Sequence, residues 1–101
     1  MSKEQIMESI SNIELSKLKP FKDHPFSIRD DEAMQQTVES VRKYGVLVPA
    51  IARPLEDGTY ELISGHRRKH ACERAGLTTM PVIVRNVNRN TATIIMVDSN
   101  L

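Results

Sequence analysis

The order of hydrophobic and polar residues predicts a first strand near the start of the chain. In residues 11–18, apolar Ile13 and Leu15 alternate with polar neighbours, which is the period of a half-buried strand. Pro20 ends that pattern. Residues 1–10 are predicted to be an N-terminal extension that contains a short amphipathic helix over 3–10.

The clearest helical pattern follows. Met34, Val38 and Val41 recur at i, i+4 and i+7, which places them on one face of a helix. Asp30 or Asp31 is suited to cap its start, and a glycine four residues after the stripe is suited to end it.

The remaining elements alternate between strand and helix. Strands are predicted over residues 48–53, 59–63 and 81–85, with a turn at 54–58 and a helix at 66–75. Asn90 or Thr91 is predicted to cap a last helix, in which Ile94, Val97 and Leu101 share a face. The order predicts a small α+β domain with a mixed sheet of about four strands and three to four helices.

Composition narrows the class of protein. The chain has 101 residues, 14 Lys+Arg against 13 Asp+Glu, and 40% hydrophobic residues, so we expect one globular domain. A single cysteine excludes an intramolecular disulfide. The chain has neither an apolar run of about 20 residues nor a signal-peptide core at its start, and we therefore expect a cytoplasmic protein without membrane association.

The junction between the third predicted strand and the following helix is the most informative stretch. Ser64 and Gly65 lead directly into a helix that begins with His66, Arg67 and Arg68. The first N–H groups of a helix have no internal partner, and glycine lets an anion approach them while arginine adds bidentate donors. The sequence therefore predicts a phosphate or similar anion site, with a solvated basic helix start as the alternative.

Several ordered boxes carry a resemblance to a known family. They read VPAIARP at 48–54, DGTYELISGHRR at 57–68, AGL at 75–77 and MPVIVR at 80–85. From about residue 13 to residue 101, the chain resembles the N-terminal domain of ParB-type chromosome and plasmid partition proteins, whose fold is shared with sulfiredoxins. The resemblance implies a nucleotide-binding domain over 11–101, followed beyond residue 101 by a helix-turn-helix domain that reads DNA.

The resemblance also implies ligands and partners. It implies CTP with Mg²⁺, closure of a homodimer as a clamp on DNA, a ParA-type ATPase partner and association with the nucleoid in the cytoplasm. By the same resemblance, the phosphates would contact Ser64, Gly65, His66, Arg67 and Arg68. The base and ribose would contact Gly45, Val46, Val48, Pro49 and Arg53, and the metal would lie near Asn100.

The chain departs from the family pattern at three places. The family box Gly-Glu-Arg-Arg has His66 in place of the glutamate, the Gln-Pro-Arg loop reads His24-Pro25-Phe26, and the acid-Asn pair reads Ser99-Asn100. Glutamate oxygens suit metal coordination and the orientation of water, whereas histidine supplies no hard anionic oxygen. We therefore expect nucleotide binding with weak hydrolysis.

The same residues bear on three other kinds of function. A nucleotide-dependent phosphotransferase would need a carboxylate base, for which Asp31 or Glu32 is a candidate. Sulfiredoxin chemistry is disfavoured because Cys72 is expected to be buried and inert. His66 and His70 have a zinc-compatible spacing without a third ligand, and nuclease activity lacks a carboxylate cluster. A protein-interaction module, in which the basic helix meets an acidic partner, is the third alternative.

Overall fold

The computed structural model describes residues 9–23 and 27–99. Five short strands form one mixed sheet in the order β1-β5-β3-β4-β2. The strands are β1 (Ile10–Glu14), β2 (Leu18–Lys19), β3 (Ala50–Pro54), β4 (Tyr60–Ser64) and β5 (Thr79–Val84). The helices are α1 (Glu32–Tyr44), α2 (His66–Ala75) and α3 (Arg89–Ser99). The predicted α+β class is confirmed, with five strands and three α-helices in the described residues.

Local hairpin chemistry and longer connections together build the sheet. β3 and β4 form an antiparallel hairpin, and Gly58 supplies the positive φ of 85° that its turn requires. β1 pairs antiparallel with β5, whereas β3 pairs parallel with β5 and β2 pairs parallel with β4. The parallel pairs need crossover connections, which α1 and α2 provide.

Helix α1 follows its sequence pattern closely. The Asp31 side chain accepts the Met34 N–H at 2.9 Å, so Asp31 rather than Asp30 is the cap. Met34, Val38 and Val41 are all buried, as the stripe predicts. They pack with residues of α2 and of the sheet in the larger of two core clusters.

Helix α3 covers the opposite side of the sheet. Its Ala92 and Met96 pack with Phe21 of the β2–α1 segment and Ile63 of β4 in a second cluster. The sheet is therefore buried on both faces. The end of β4 lies between the two helical layers, and that position places the site described below.

The structure corrects two predictions about α3. The buried residues are Ala92 and Met96, whereas Ile94 and Val97 of the predicted face are 62% and 49% exposed. Asn88 rather than Asn90 or Thr91 caps the helix, because its side-chain Oδ1 accepts the Thr91 N–H at 2.9 Å. Leu101 lies outside the described residues.

The prediction of one strand over residues 11–18 is also wrong. A single 3₁₀ turn at Leu15–Lys17 separates β1 from the two-residue β2. Leu15 is buried and donates its N–H to the Thr78 carbonyl, so the chain turns there to fill the core. Most of the helix predicted over 3–10 lies outside the described residues, and Ile10 already belongs to β1. No helix in the described part of the chain combines the length and apolarity needed to cross a bilayer.

Candidate functional site

A cleft of about 390 Å³ opens where β4 passes into α2. All five residues predicted to hold phosphates lie along it. The lining residues are Ser27, Ile28, Thr37, Ile63, Ser64, Gly65, His66, Arg67, Arg68 and Ser99. They come from the segment before α1, from α1 itself, from the β4–α2 junction and from the last residue of α3.

Gly65 gives the cleft its exposed backbone. It adopts φ 104°, and a Cβ built there would lie 2.7 Å from the Cβ of Ala50. A side chain at this position would therefore clash with β3 as well as strain the backbone. Without one, the N-terminal N–H groups of the ten-residue helix α2 remain open to an anion.

The two arginines of the helix start have different roles. Arg67 is exposed, and no hydrogen bond or ion pair joins it to another described residue. Arg68 instead donates from Nη1 to the Pro49 carbonyl at 2.9 Å and to the Val48 carbonyl at 3.3 Å. Arg67 is thus available for an anion, whereas Arg68 also fixes the loop between α1 and β3 against the cleft.

His66 is a neutral group in this cleft at physiological pH. Its side chain is half-buried, and burial, with a smaller contribution from the Lys69 charge, lowers its pKa to about 4. The positive charge of the helix start therefore comes from the arginines and the backbone. His66 contributes an uncharged imidazole.

The cleft offers hydroxyls but no carboxylate among its described lining residues. Thr37 on α1 and Ser99 on α3 each donate to a carbonyl of their own helix, which leaves their oxygen lone pairs facing outward. Mg²⁺ prefers carboxylate or phosphate oxygens, so these residues do not fit a protein-held magnesium ion. Across residues 9–23 and 27–99, no group of three or more His, Cys, Asp or Glu side chains could hold a metal ion. Asn100, the predicted metal residue, lies outside the described residues, as do His24, Pro25 and Phe26.

The residues predicted to contact the base and ribose divide into two groups. The first group lies in the α1–β3 loop and consists of Gly45, Val46, Val48 and Pro49. Arg68 donates to the Val48 and Pro49 carbonyls of this loop, but none of the four residues lines the cleft. Arg53 is directed elsewhere, because its Nε lies 2.7 Å from Oε1 of the buried Glu61. The structure thus ties Val48 and Pro49 to the cleft through Arg68, and it pairs Arg53 with Glu61 outside the cleft lining.

Five described lining residues were not predicted as site residues, namely Ser27, Ile28, Thr37, Ile63 and Ser99. Thr37 lies three residues after Met34 and one before Val38, so it borders the buried stripe and could have been found from helical spacing. Ser27 and Ile28 have no such local signal, because the tertiary path of their segment brings them to the cleft.

The other predicted constellations are not assembled as chemical centres. Cys72 is fully buried on α2, and burial together with the nearby Glu73 raises the pKa of its thiol. His70 contacts Asp30 through Nε2 at 2.8 Å, and Arg74 donates to the same carboxylate at 3.1 Å. These contacts hold the segment before α1 against α2 and form no zinc site with His66.

The structure is thus an α+β domain with a mixed sheet and a cleft at a glycine-led helix start. The ParB N-terminal domain family matches residues 1–101, and the chain belongs to this family. The predicted family is confirmed.

Two curated relatives are a nucleoid occlusion protein and a chromosome-partitioning protein. A nucleoid occlusion protein of Geobacillus is 30% identical over 96 residues, covering 94% of this chain and 34% of its own length. A probable chromosome-partitioning protein ParB of Pseudomonas putida is 45% identical over 58 residues, covering 57% of this chain and 20% of its own. The chain thus spans about a third or less of the length of these relatives.

Solved structures share the fold. The C-terminally truncated ParB of Caulobacter crescentus complexed with CTP-γ-S has a TM-score of 0.81 at 30% identity, covering 92% of this chain and 53% of that one. Sulfiredoxin from Arabidopsis thaliana has a TM-score of 0.72 at 25% identity, covering 87% and 97%. The predicted likeness to both folds is confirmed.

Proposed function

We propose that this chain is the nucleotide-binding N-terminal domain of a DNA partition protein and that CTP is its nucleotide. The observation that carries the proposal is the cleft at Gly65. There, exposed helix N–H groups and an Arg67 guanidinium that pairs with no described residue face a space without a carboxylate in its described lining. Such a site favours a multiply charged anion.

The family supports the identity of the nucleotide. The Caulobacter ParB that resembles this chain was crystallised with CTP-γ-S. In our proposal the phosphates bind along Ser64, Gly65, His66, Arg67 and Arg68. The base and ribose lie against the loop formed by Gly45, Val46, Val48 and Pro49, whose exposed apolar Val48 suits the face of a base.

The proposed switch is closure of the cleft around the nucleotide. Ser99, at the end of α3, and Arg67, at the start of α2, line the same space. A ligand that contacts both stabilises the arrangement in which they are close, by the difference between its affinities for the open and closed states. Closure would favour a homodimer that clamps DNA. A helix-turn-helix domain outside this chain would read the DNA sequence. A ParA-type ATPase would be the partner at the nucleoid.

Hydrolysis is proposed to be weak. The described lining contains no carboxylate that could orient a water or hold Mg²⁺, and His66 stands where the family has glutamate. Any magnesium would be held mainly by the phosphates, with Asn100 as its nearest predicted protein ligand. Turnover of CTP at the rate usual for the family would contradict this part of the proposal.

Calorimetric titration with CTP, ATP, GTP and ADP, each with and without Mg²⁺, tests the function. We expect selective binding of CTP. Arg67→Ala should weaken that binding at least tenfold, which corresponds to about 1.4 kcal/mol, without changing the unfolding midpoint, because Arg67 is exposed and forms no hydrogen bond or ion pair with a described residue.

Arg68→Ala is the matched comparison. We expect it to weaken binding and also to destabilise the fold by about 1–3 kcal/mol, because two carbonyls of the α1–β3 loop lose a charged donor. Absence of binding to all four nucleotides would contradict the proposed function and favour the interaction module. Preference for ATP or ADP would favour the phosphotransferase, although no carboxylate base is present in the described lining.

A further inference from the structure

A buried carboxylate on β4 lies outside the cleft and has no role in the proposed function so far. Glu61 is 4% exposed and is the buried charged residue of the described chain. Its Oε1 accepts a hydrogen bond from Arg53 Nε at 2.7 Å. Burial opposes ionisation of Glu61, but the Lys22 N–H and the Arg53 guanidinium outweigh it and lower the pKa of the carboxyl.

The second oxygen of this carboxylate holds the segment that follows β2. Oε2 accepts the Lys22 backbone N–H at 2.8 Å. The adjacent Phe21 is 2% exposed and packs in the core cluster beneath α3. Ser64, three residues after Glu61 at the end of β4, lines one wall of the cleft.

The same network also holds the start of α3. Arg89, the first residue of α3, has Nη1 3.7 Å from Glu61 Oε2. Its Nη2 donates to the Lys22 carbonyl at 2.7 Å, and its guanidinium lies 5.1 Å from the centroid of the Phe21 ring. The backbone of Lys22 is therefore held on one side by β4 and on the other by α3.

The far end of α3 forms another wall of the cleft. Ser99 is ten residues after Arg89, about 15 Å along a helix. A change in direction at the start of a rigid helix is carried to its end, so the contacts of Arg89 affect where Ser99 lies. Glu61 thus connects two cleft walls that are far apart in the sequence.

We infer that Glu61 is a positioning residue for the cleft: by holding Arg89 against β4, it sets the placement of Ser99, at the end of α3, relative to Ser64, at the end of β4. The inference rests on the proposed function, because the ligand for which the walls are placed is the nucleotide. Glu61 acts through its neighbours and does not line the cleft.

Titration of CTP-γ-S into the protein and three variants tests this role. Glu61→Gln keeps the size of the side chain and removes its charge, and Arg89→Met removes the other partner while keeping an apolar side chain of similar length at this partly buried site. We expect each variant to bind CTP-γ-S about tenfold more weakly. The double variant should lose little beyond either single one, because both changes break the same coupling.

Two controls separate positioning from general destabilisation. Lys17→Met removes an exposed ion pair with Glu14 beside the 3₁₀ turn, which involves none of Glu61, Lys22 and Arg89, and should leave binding unchanged. Leu15→Ala destabilises the other core cluster and should lower the unfolding midpoint without lowering affinity, provided that the protein is folded during the titration.

The outcomes are distinct. Folded Glu61→Gln and Arg89→Met proteins that bind CTP-γ-S within twofold of wild type would overturn the inference and leave the proposed function intact. Additive losses in the double variant, or an equal loss of affinity in Leu15→Ala, would also overturn it. A wild-type protein that binds no CTP-γ-S would overturn the proposed function and this inference with it. If Glu61→Gln does not fold, Arg89→Met alone decides.

Discussion

The side chain of His66 combines a position at an anion site with a burial that keeps it uncharged. It is the first residue of α2 and lines the cleft, yet its pKa lies at about 4, well below the ordinary 6.5. The unfolded chain therefore takes up a proton between pH 6.5 and 4 that the folded chain does not. Folding stability should fall as the pH is lowered through this window, and the contribution is fully present above pH 6.5.

We expect wild type to lose about 2 kcal/mol more unfolding free energy between pH 7.5 and pH 5 than His66→Gln, whose side chain does not titrate. Urea unfolding of the two proteins at both pH values measures the difference. The carboxyls of Asp30, Asp57 and Glu61, whose pKa values are lowered, lose their contribution mainly below pH 5 and are common to both proteins. An equal loss in wild type and His66→Gln would contradict the placement of this side chain.

The contacts of two arginines could not be predicted from the sequence. The sequence predicts Arg67 and Arg68 as an equivalent pair at a helix start. In the structure Arg68 donates to carbonyls 19 and 20 residues earlier, and no local pattern encodes that contact. Arg53 was misplaced for the same reason, since its partner Glu61 is set by the pairing of β3 with β4.

At the scale of elements, the β4–α2 junction depends on a glycine that meets a neighbouring strand. Gly65 and Gly76 both adopt left-handed conformations at the two ends of α2. A Cβ at Gly65 would meet Ala50, whereas a Cβ at Gly76 would meet nothing within 4 Å. The two positions form a natural pair for separating backbone strain from a steric clash.

Gly65→Ala should destabilise the protein by roughly 2–4 kcal/mol, because overpacking of about 1–3 kcal/mol adds to a left-handed cost of about 1 kcal/mol. Gly76→Ala should destabilise the protein by only about 1 kcal/mol, because it adds the left-handed cost without the clash. Denaturant unfolding measures both, and nucleotide titration should show lost binding in Gly65→Ala alone. Equal destabilisation of the two variants would show that β3 yields to the added methyl group.

Elements with strong local signals were predictable, and elements shaped by distant contacts were not. The cap and apolar stripe of α1 and the two glycines that flank α2 gave those helices nearly correct bounds. β2 could not be predicted, because its two residues are strand only through parallel pairing with β4. The burial of α3 was misjudged because two of its β-branched residues, Ile94 and Val97, point away from the core that its Ala92 and Met96 fill.

At the scale of the whole molecule, that outward apolar surface of α3 gives the proposed homodimer a candidate contact. Ile94 and Val97 are spaced three residues apart on the helix whose end, Ser99, lines the cleft. A ligand that fixes Ser99 would also fix the direction of this surface. The nucleotide could thereby govern self-association without itself crossing the dimer interface.

Ile94→Lys with Val97→Lys should therefore weaken CTP-dependent self-association at least tenfold and leave CTP binding within about twofold, since neither side chain lines the cleft. Burial of such a side chain is worth about 1.5–3 kcal/mol, and a two-fold symmetric contact uses each one twice.

Sedimentation velocity with and without CTP measures the association. Leu77→Lys, at an exposed apolar residue after α2, is the control and should associate like wild type. Association that persists in the α3 variant, or is lost equally in Leu77→Lys, would place the dimer contact on another surface and separate it from the helix that the nucleotide is proposed to hold.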